Sequence, residues 1–208
     1  ARRHGPAAMR YCGMSSLAPH AELDRLAAAL AARPPALADA DPAVRRAATA
    51  IILRHGAVGL DLLLIQRAVF AGDPWSGQVA LPGGRADAAD PSLVHTAVRE
   101  TIEETGLDLA AGGRLLGHLD ELHPRTPVLP PIVVRPHVFA LATDQPIRTS
   151  AEVAHAFWVP LETLRDPATT RESRVRVRDA WWRVPSYVVD GRVVWGMTER
   201  MLRQLLDL

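Results

Sequence analysis

The 208 residues carry 24 basic and 23 acidic side chains for a formal charge of +1, with the two signs interspersed, which removes any general attraction to nucleic acid or an anionic membrane. A hydrophobic fraction of 48% beside 23% charged residues is that of a folded globular protein, and the length suits one α/β domain with added elements. Every basic residue is arginine, so a lysine nucleophile is excluded; Cys12 stands alone, which excludes an internal disulfide or a multi-cysteine metal site and fits a reducing cytoplasm.

No apolar run approaches the roughly 18 residues of a membrane span, and Ala1-Arg2-Arg3-His4 lacks the apolar core of a signal peptide. Residues 1–18 are expected to form a flexible leader and residues 19–208 a single domain. From Pro19 to about Arg33, Leu23, Leu26, Ala27 and Leu30 recur at helical spacing until Pro34-Pro35 stops them. A polar linker follows to Val44. Two apolar strands, Ala47 to Leu53 and Leu60 to Gln66, then flank the Gly56 and Gly59 turn as a hairpin.

Beyond the turn-forming loop Ala71 to Gly77 comes a short strand, Gln78 to Leu81, ended by Pro82-Gly83-Gly84. Leu93 to Thr105 has helical periodicity, with Asp90-Pro91-Ser92 as its cap and Gly106 in the C-terminal glycine position. Strands are expected at Arg114 to Leu119, Pro131 to Ala142 and Ala156 to Val159, with a short helix after Pro160. A strand pair at Trp181 to Val189 and Arg192 to Trp195 precedes a final helix, Thr198 to Leu206. This alternation predicts an α/β/α sandwich around a central mixed sheet, with an added N-terminal helix.

Chemistry concentrates between Gly83 and Leu107. Glu100, Glu103 and Glu104 stand at i, i+3 and i+4, so on a helix they share one face. Acidic clusters on helices are more often solvated faces than sites. This one, however, lies late in its helix, where the macrodipole disfavours anions, and a divalent cation would offset both that cost and the mutual repulsion. Hard carboxylate oxygens suit Mg²⁺ or Mn²⁺. The nearby Gly83-Gly84 pair lets bare backbone approach the same helix.

These residues resemble the Nudix box, in which a glycine is followed, after five intervening residues, by an acid, then by Arg-Glu-x-x-Glu-Glu-x-Gly and an aliphatic. Gly84, Arg99, Glu100, Glu103, Glu104, Gly106 and Leu107 match; Asp90 replaces the first glutamate, eight rather than seven residues separate it from Arg99, and Thr101 stands where an aliphatic is usual. The resemblance implies metal-dependent hydrolysis of a diphosphate linkage. It assigns Glu100, Glu103, Glu104 and the Gly84 carbonyl to the metal, and gives Arg99 the task of bracing a catalytic carboxylate. Two acids compete as general base, Glu104 and Glu152.

Leu62 to Ala68 and Gly77 to Gly84, together with Trp195-Gly196-Met197-Thr198 before the last helix, are similar to the coenzyme A diphosphatase branch of the family. That likeness makes coenzyme A or an acyl derivative the leading substrate, cleaved to 4′-phosphopantetheine and adenosine 3′,5′-bisphosphate, and puts Arg67, Gly83 and Gly84 against it. The branch's second arginine falls here on Ala71 or Gly72, and Leu81 replaces a phenylalanine. The alternatives are another nucleotide (an ADP-sugar, a dinucleotide or a nucleoside triphosphate) or a non-catalytic binding module. The expected partner is a small nucleotide, with a homodimer as the default oligomer. Trp75 reads as a loop anchor or a base-stacking ring, Trp181-Trp182 as strand core, and His95, His118, His123 and His137 lack mutual ligand spacing.

Overall fold

The computed structural model describes residues 21–41, 43–71, 75–124, 131–177 and 180–208. The proposed leader, Cys12 and the loop residues Gly72, Asp73 and Pro74 lie outside them. Helix α1 (Ala21–Ala32) turns Leu23, Leu26 and Leu30 inward, as its periodicity requires. The hairpin consists of β1 (Arg45–Gly56) and β2 (Gly59–Arg67), paired antiparallel from Leu53↔Leu62 to Gly56↔Gly59, so both strands outrun their apolar cores.

Strand β3 (Val79–Ala80) is shorter than expected, and β4 (Gly83–Arg85) is an additional strand, antiparallel to β1 at Ala47↔Arg85, Ala48↔Gly84 and Thr49↔Gly83. Helix α2 (Leu93–Thr105) has the predicted bounds. The Ser92 hydroxyl accepts from the His95 amide, and Gly106, at φ 72°, closes the last turn by donating to the Ile102 carbonyl. Helix α3 (Leu109–Gly112) was not anticipated; Asp108 caps it through the Ala110 and Ala111 amides. Strands β5 (Gly113–His118), β6 (Ile132–Leu141) and β7 (Val153–Pro160) and helix α4 (Leu161–Arg165) follow.

The seven strands β1 to β7 form one mixed sheet. β1 runs parallel to β6 from Arg45↔Ile132 to Leu53↔Ala140, whereas β5 pairs antiparallel with β6 and β7 with β2. Because side chains alternate along a strand, β1 sends Ala47, Ile51 and Leu53 to one face and Ala48, Ala50 and Ile52 to the other. The first face packs under α1, α4 and the last helix, α5 (Gly196–Leu206); the second packs under α2 and the loop leading into α3. The central mixed sheet is therefore covered by helices on both sides, in the predicted α/β/α arrangement.

A second, three-stranded sheet joins the first face: β8 (Thr170–Val177), β9 (Ala180–Val189) and β10 (Arg192–Trp195), in the order β10-β9-β8. The β9-β10 pair was expected, but β8 was not. Its Thr-Arg-Glu-Ser-Arg-Val-Arg-Val sequence is polar at most positions, and only Val175 and Val177 mark the period of two. Nor do Trp181 and Trp182 form strand core, for they remain 62% and 47% exposed. Among the described residues no helix is long and apolar enough to cross a membrane.

Candidate active site

The glutamates of α2 form a gradient of burial. Glu103 is exposed, Glu100 is intermediate, and Glu104 retains only 4% of its surface. Glu104 reaches back to the strand region, where its Oε2 accepts the Gly83 amide at 2.9 Å. Burial drives its pKa up to about 7 against that hydrogen bond, and the charges of Glu100 and Glu152 add to the rise while Arg67 opposes it. Burial likewise raises Glu100; the Arg99 guanidinium counteracts this, and Glu103 and Glu152 reinforce it.

Two glycines make this approach feasible. Gly83 adopts φ +149° against β1, and a Cβ there would stand 2.3 Å from the Ala48 carbonyl oxygen. At Gly84 a Cβ would fall 2.4 Å from the carboxyl carbon of Glu100. The Pro-Gly-Gly turn thus presents bare backbone to the acidic face of α2.

Arg99 is the organising cation. Its Nε and Nη2 donate to the two oxygens of Asp90 at 3.1 and 2.9 Å, Nη2 also reaches the Arg85 carbonyl, and Nη1 donates to Glu100 at 2.9 Å and Glu103 at 3.2 Å. Asp90 accepts further bonds from the Asp87 amide and the Thr96 hydroxyl, and Arg99 foremost holds its carboxyl well below the usual carboxylate range. The extra residue between Asp90 and Arg99 is absorbed ahead of the helix, since α2 begins only at Leu93.

The structure brings the named residues together around one cavity of about 970 Å³, whose lining includes Arg67, Gly83, Gly84, Glu100, Glu103, Glu104 and Glu152. Glu152 is fixed by its backbone, whose carbonyl accepts the Ala68 amide just beyond β2. Arg99, by contrast, acts from behind the carboxylates and does not line the cavity. Among the described residues no three acidic, histidine or cysteine side chains converge as a metal would require, because Glu100 and Glu103 instead share Arg99. The donors nevertheless fit a hard divalent cation: the oxygens are anionic, Glu100 and Glu104 are crowded by other acids, and exposed Glu103 has room to turn.

Much of the lining escaped sequence reasoning. Leu81, Val134, Met197 and Met201 give the cavity an apolar lobe, and Val177, Trp182 and Trp195 bring the second sheet to it. Met197 belongs to the Trp195-to-Thr198 likeness and lies inside α5, which starts two residues before the predicted Thr198. Trp75 also lines the cavity. The β5-β6 register sets His118 opposite His137, with ring centroids 5.9 Å apart, a proximity invisible in their spacing. Neither ring lines the cavity, and among the described residues no third ligand joins them.

A family model described as NUDIX domain matches residues 44–180. An uncharacterised Nudix hydrolase NudL of Photorhabdus laumondii is 32% identical over 160 residues, spanning 73% of this chain and 83% of that protein. An uncharacterised protein of Schizosaccharomyces pombe is 39% identical over 110 residues, 51% of this chain but 33% of its own length, so the chain corresponds to about a third of that relative. A crystal structure of a MutT/nudix family protein from Enterococcus faecalis superposes with a TM-score of 0.50 at 17% identity, over 87% of this chain and 65% of the other, a likeness of fold.

Proposed function

The chain belongs to the Nudix family of hydrolases, and from that premise we propose that it cleaves the diphosphate linkage of coenzyme A or an acyl-coenzyme A. The observation that carries this reading is the cavity itself, which joins an acidic end at Glu100, Glu103, Glu104 and Glu152 to an apolar lobe at Leu81, Val134, Met197 and Met201. A diphosphate flanked on one side by a flexible arm, whose gem-dimethyl group, methylenes and any acyl chain are apolar, matches both ends. Trp195, Met197 and Met201 lie beyond the residues that the family model matches, which supports residues 19–208 working as one catalytic domain.

In this reading Glu100, Glu103 and Glu104, with the Gly84 carbonyl, hold Mg²⁺ or Mn²⁺. When bound, the cation supplies charge neutralisation for the diphosphate and acidifies water. Gly83 and Gly84 admit phosphate oxygens close to the backbone, and Arg67 offers the cavity a positive charge at the end of β2. Arg99 fixes the rotamers of Glu100 and Glu103 from outside the cavity. Glu104 is the favoured general base, because it faces the cavity with Oε2 already anchored by the Gly83 amide, which leaves Oε1 to take a proton. Glu152, facing the same cavity, is the competing base.

Chromatographic separation of products from coenzyme A, NADH, ADP-ribose and 8-oxo-dGTP, with Mg²⁺ and with Mn²⁺, tests the proposal. It predicts adenosine 3′,5′-bisphosphate and 4′-phosphopantetheine from coenzyme A as the fastest reaction. Faster turnover of ADP-ribose would overturn the substrate assignment alone. Absence of turnover throughout, with a Glu103→Gln variant that binds each nucleotide as well as the unaltered chain, would overturn the catalytic reading.

A further inference from the structure

The β8-β9 hairpin supplies a cavity wall that neither α2 nor the large sheet provides, and we propose that Trp182 on its inner face is the surface on which the substrate's nucleobase stacks. This rests on the reading of the cavity as a nucleoside-diphosphate site. The register separates the hairpin's two faces. Val175↔Trp182 and Ser173↔Val184 share the half-buried face, whereas Arg174↔Arg183 and Arg176↔Trp181 share the outer one.

The two neighbouring indoles therefore have different surroundings. Trp181 lies on the outer face under Arg174, whose guanidinium carbon stands 5.3 Å from its ring centroid. Trp182 lines the catalytic cavity, remains 47% exposed, and among the described residues has no ring or guanidinium over it. A large indole left wet on a cavity wall is a surface that a ligand can cover with gain.

The cavity lining distinguishes which part of the ligand belongs there. Leu81, Val134 and Met201 are buried and offer an apolar lining suited to a chain. Trp182 offers a flat face with access to water. A nucleobase has a stacking face and polar edges that need hydrogen bonds, so it gains from such a wall and loses in the aliphatic lobe. Trp182 touches no reacting atom in this scheme and acts on binding.

The test compares the full chain with Trp182→Ala and Trp182→Phe in Mg²⁺. Calorimetric titration uses adenosine 5′-diphosphate and, as a baseless control, inorganic pyrophosphate. Trp182→Ala is expected to weaken ADP about tenfold, the scale on which bases depend on an aromatic partner, while pyrophosphate affinity is unchanged and Trp182→Phe recovers most of the loss. With coenzyme A the same variant raises KM by a similar factor and leaves kcat nearly constant. Equal losses for ADP and pyrophosphate, no loss for either, or a KM penalty that appears only with longer acyl chains would overturn the assignment. A chain that binds ADP through Trp182 yet cleaves no diphosphate would defeat the proposed function and leave this inference standing.

Discussion

Glu104 and Glu121 are both buried glutamates, and their environments drive them in opposite directions. At Glu121, whose side chain is 1% exposed, burial alone would raise the pKa. The Ala38 amide and the guanidinium groups of Arg135 and Arg46 outweigh it and hold the carboxyl below its ordinary value. That network ties the linker after α1 to β1 and β6. Glu104 has one amide from Gly83, a moderating charge in Arg67, and two acids that oppose its ionisation. A buried carboxylate matched by cations is structural; one surrounded by acids and opening on a cavity is the one to which the proposed function gives a cation and a proton.

The largest effect should separate the two by activity. Glu104→Gln should reduce kcat by about 10²- to 10⁴-fold, the range for losing a general base, without loss of folded protein in circular dichroism. Glu121→Ala should do the reverse: Arg46 and Arg135 lose their shared partner, at a cost of about 3–5 kcal/mol in urea unfolding, while the turnover of each folded molecule is retained. A comparable fall in kcat for both would erase the distinction.

A smaller effect follows from pH. For Glu104 the folded pKa, about 7, lies above the unfolded value of 4.5, so between these the folded chain binds the extra proton. Stability is then greatest below about pH 4.5 as far as this group is concerned, and it falls by on the order of 3 kcal/mol as pH rises through 7 in metal-free protein. Glu104→Gln should flatten that slope. Glu121 contributes with the opposite sign, because its lowered pKa gives stability that is present above its unfolded pKa and is lost as pH falls through the folded one. Denaturant midpoints from about pH 2 to 8 for the unaltered chain and both variants would reveal the two slopes, that of Glu104 between about 4.5 and 7 and that of Glu121 below 4.5. The smallest expected effect is from metal: at a concentration about 100 times its Kd, Mg²⁺ or Mn²⁺ should stabilise the chain by about 2.7 kcal/mol near pH 8 and less near pH 5, where Glu104 holds its proton.

Legibility in the sequence followed the same division. Helix α2 could be read to the residue, because its period, the Ser92 cap and the left-handed Gly106 all act locally. The acidic face was equally legible, being a consequence of spacing on one helix. What Arg99 does for Glu100 and Glu103 required the turn around Asp90, and β4 emerged only because Gly83 can sit against the Ala48 carbonyl. Strand β8 was missed because most of one face meets solvent, so its polar composition resembled a loop. Trp182 departs from expectation for a related reason: alternation predicts one ring in and one out, but not that the inner side is a cavity instead of packed core.

The most direct test of the central claim is ³¹P NMR of coenzyme A incubated with the full chain and Mg²⁺ or Mn²⁺, beside the Glu104→Gln variant and a chelator control. The diphosphate resonances should give way to phosphomonoesters with the unaltered chain, and at least about 100-fold more slowly with the variant or chelator. Intact diphosphate with the unaltered chain in both cations, or equal rates for Glu104→Gln, would contradict it.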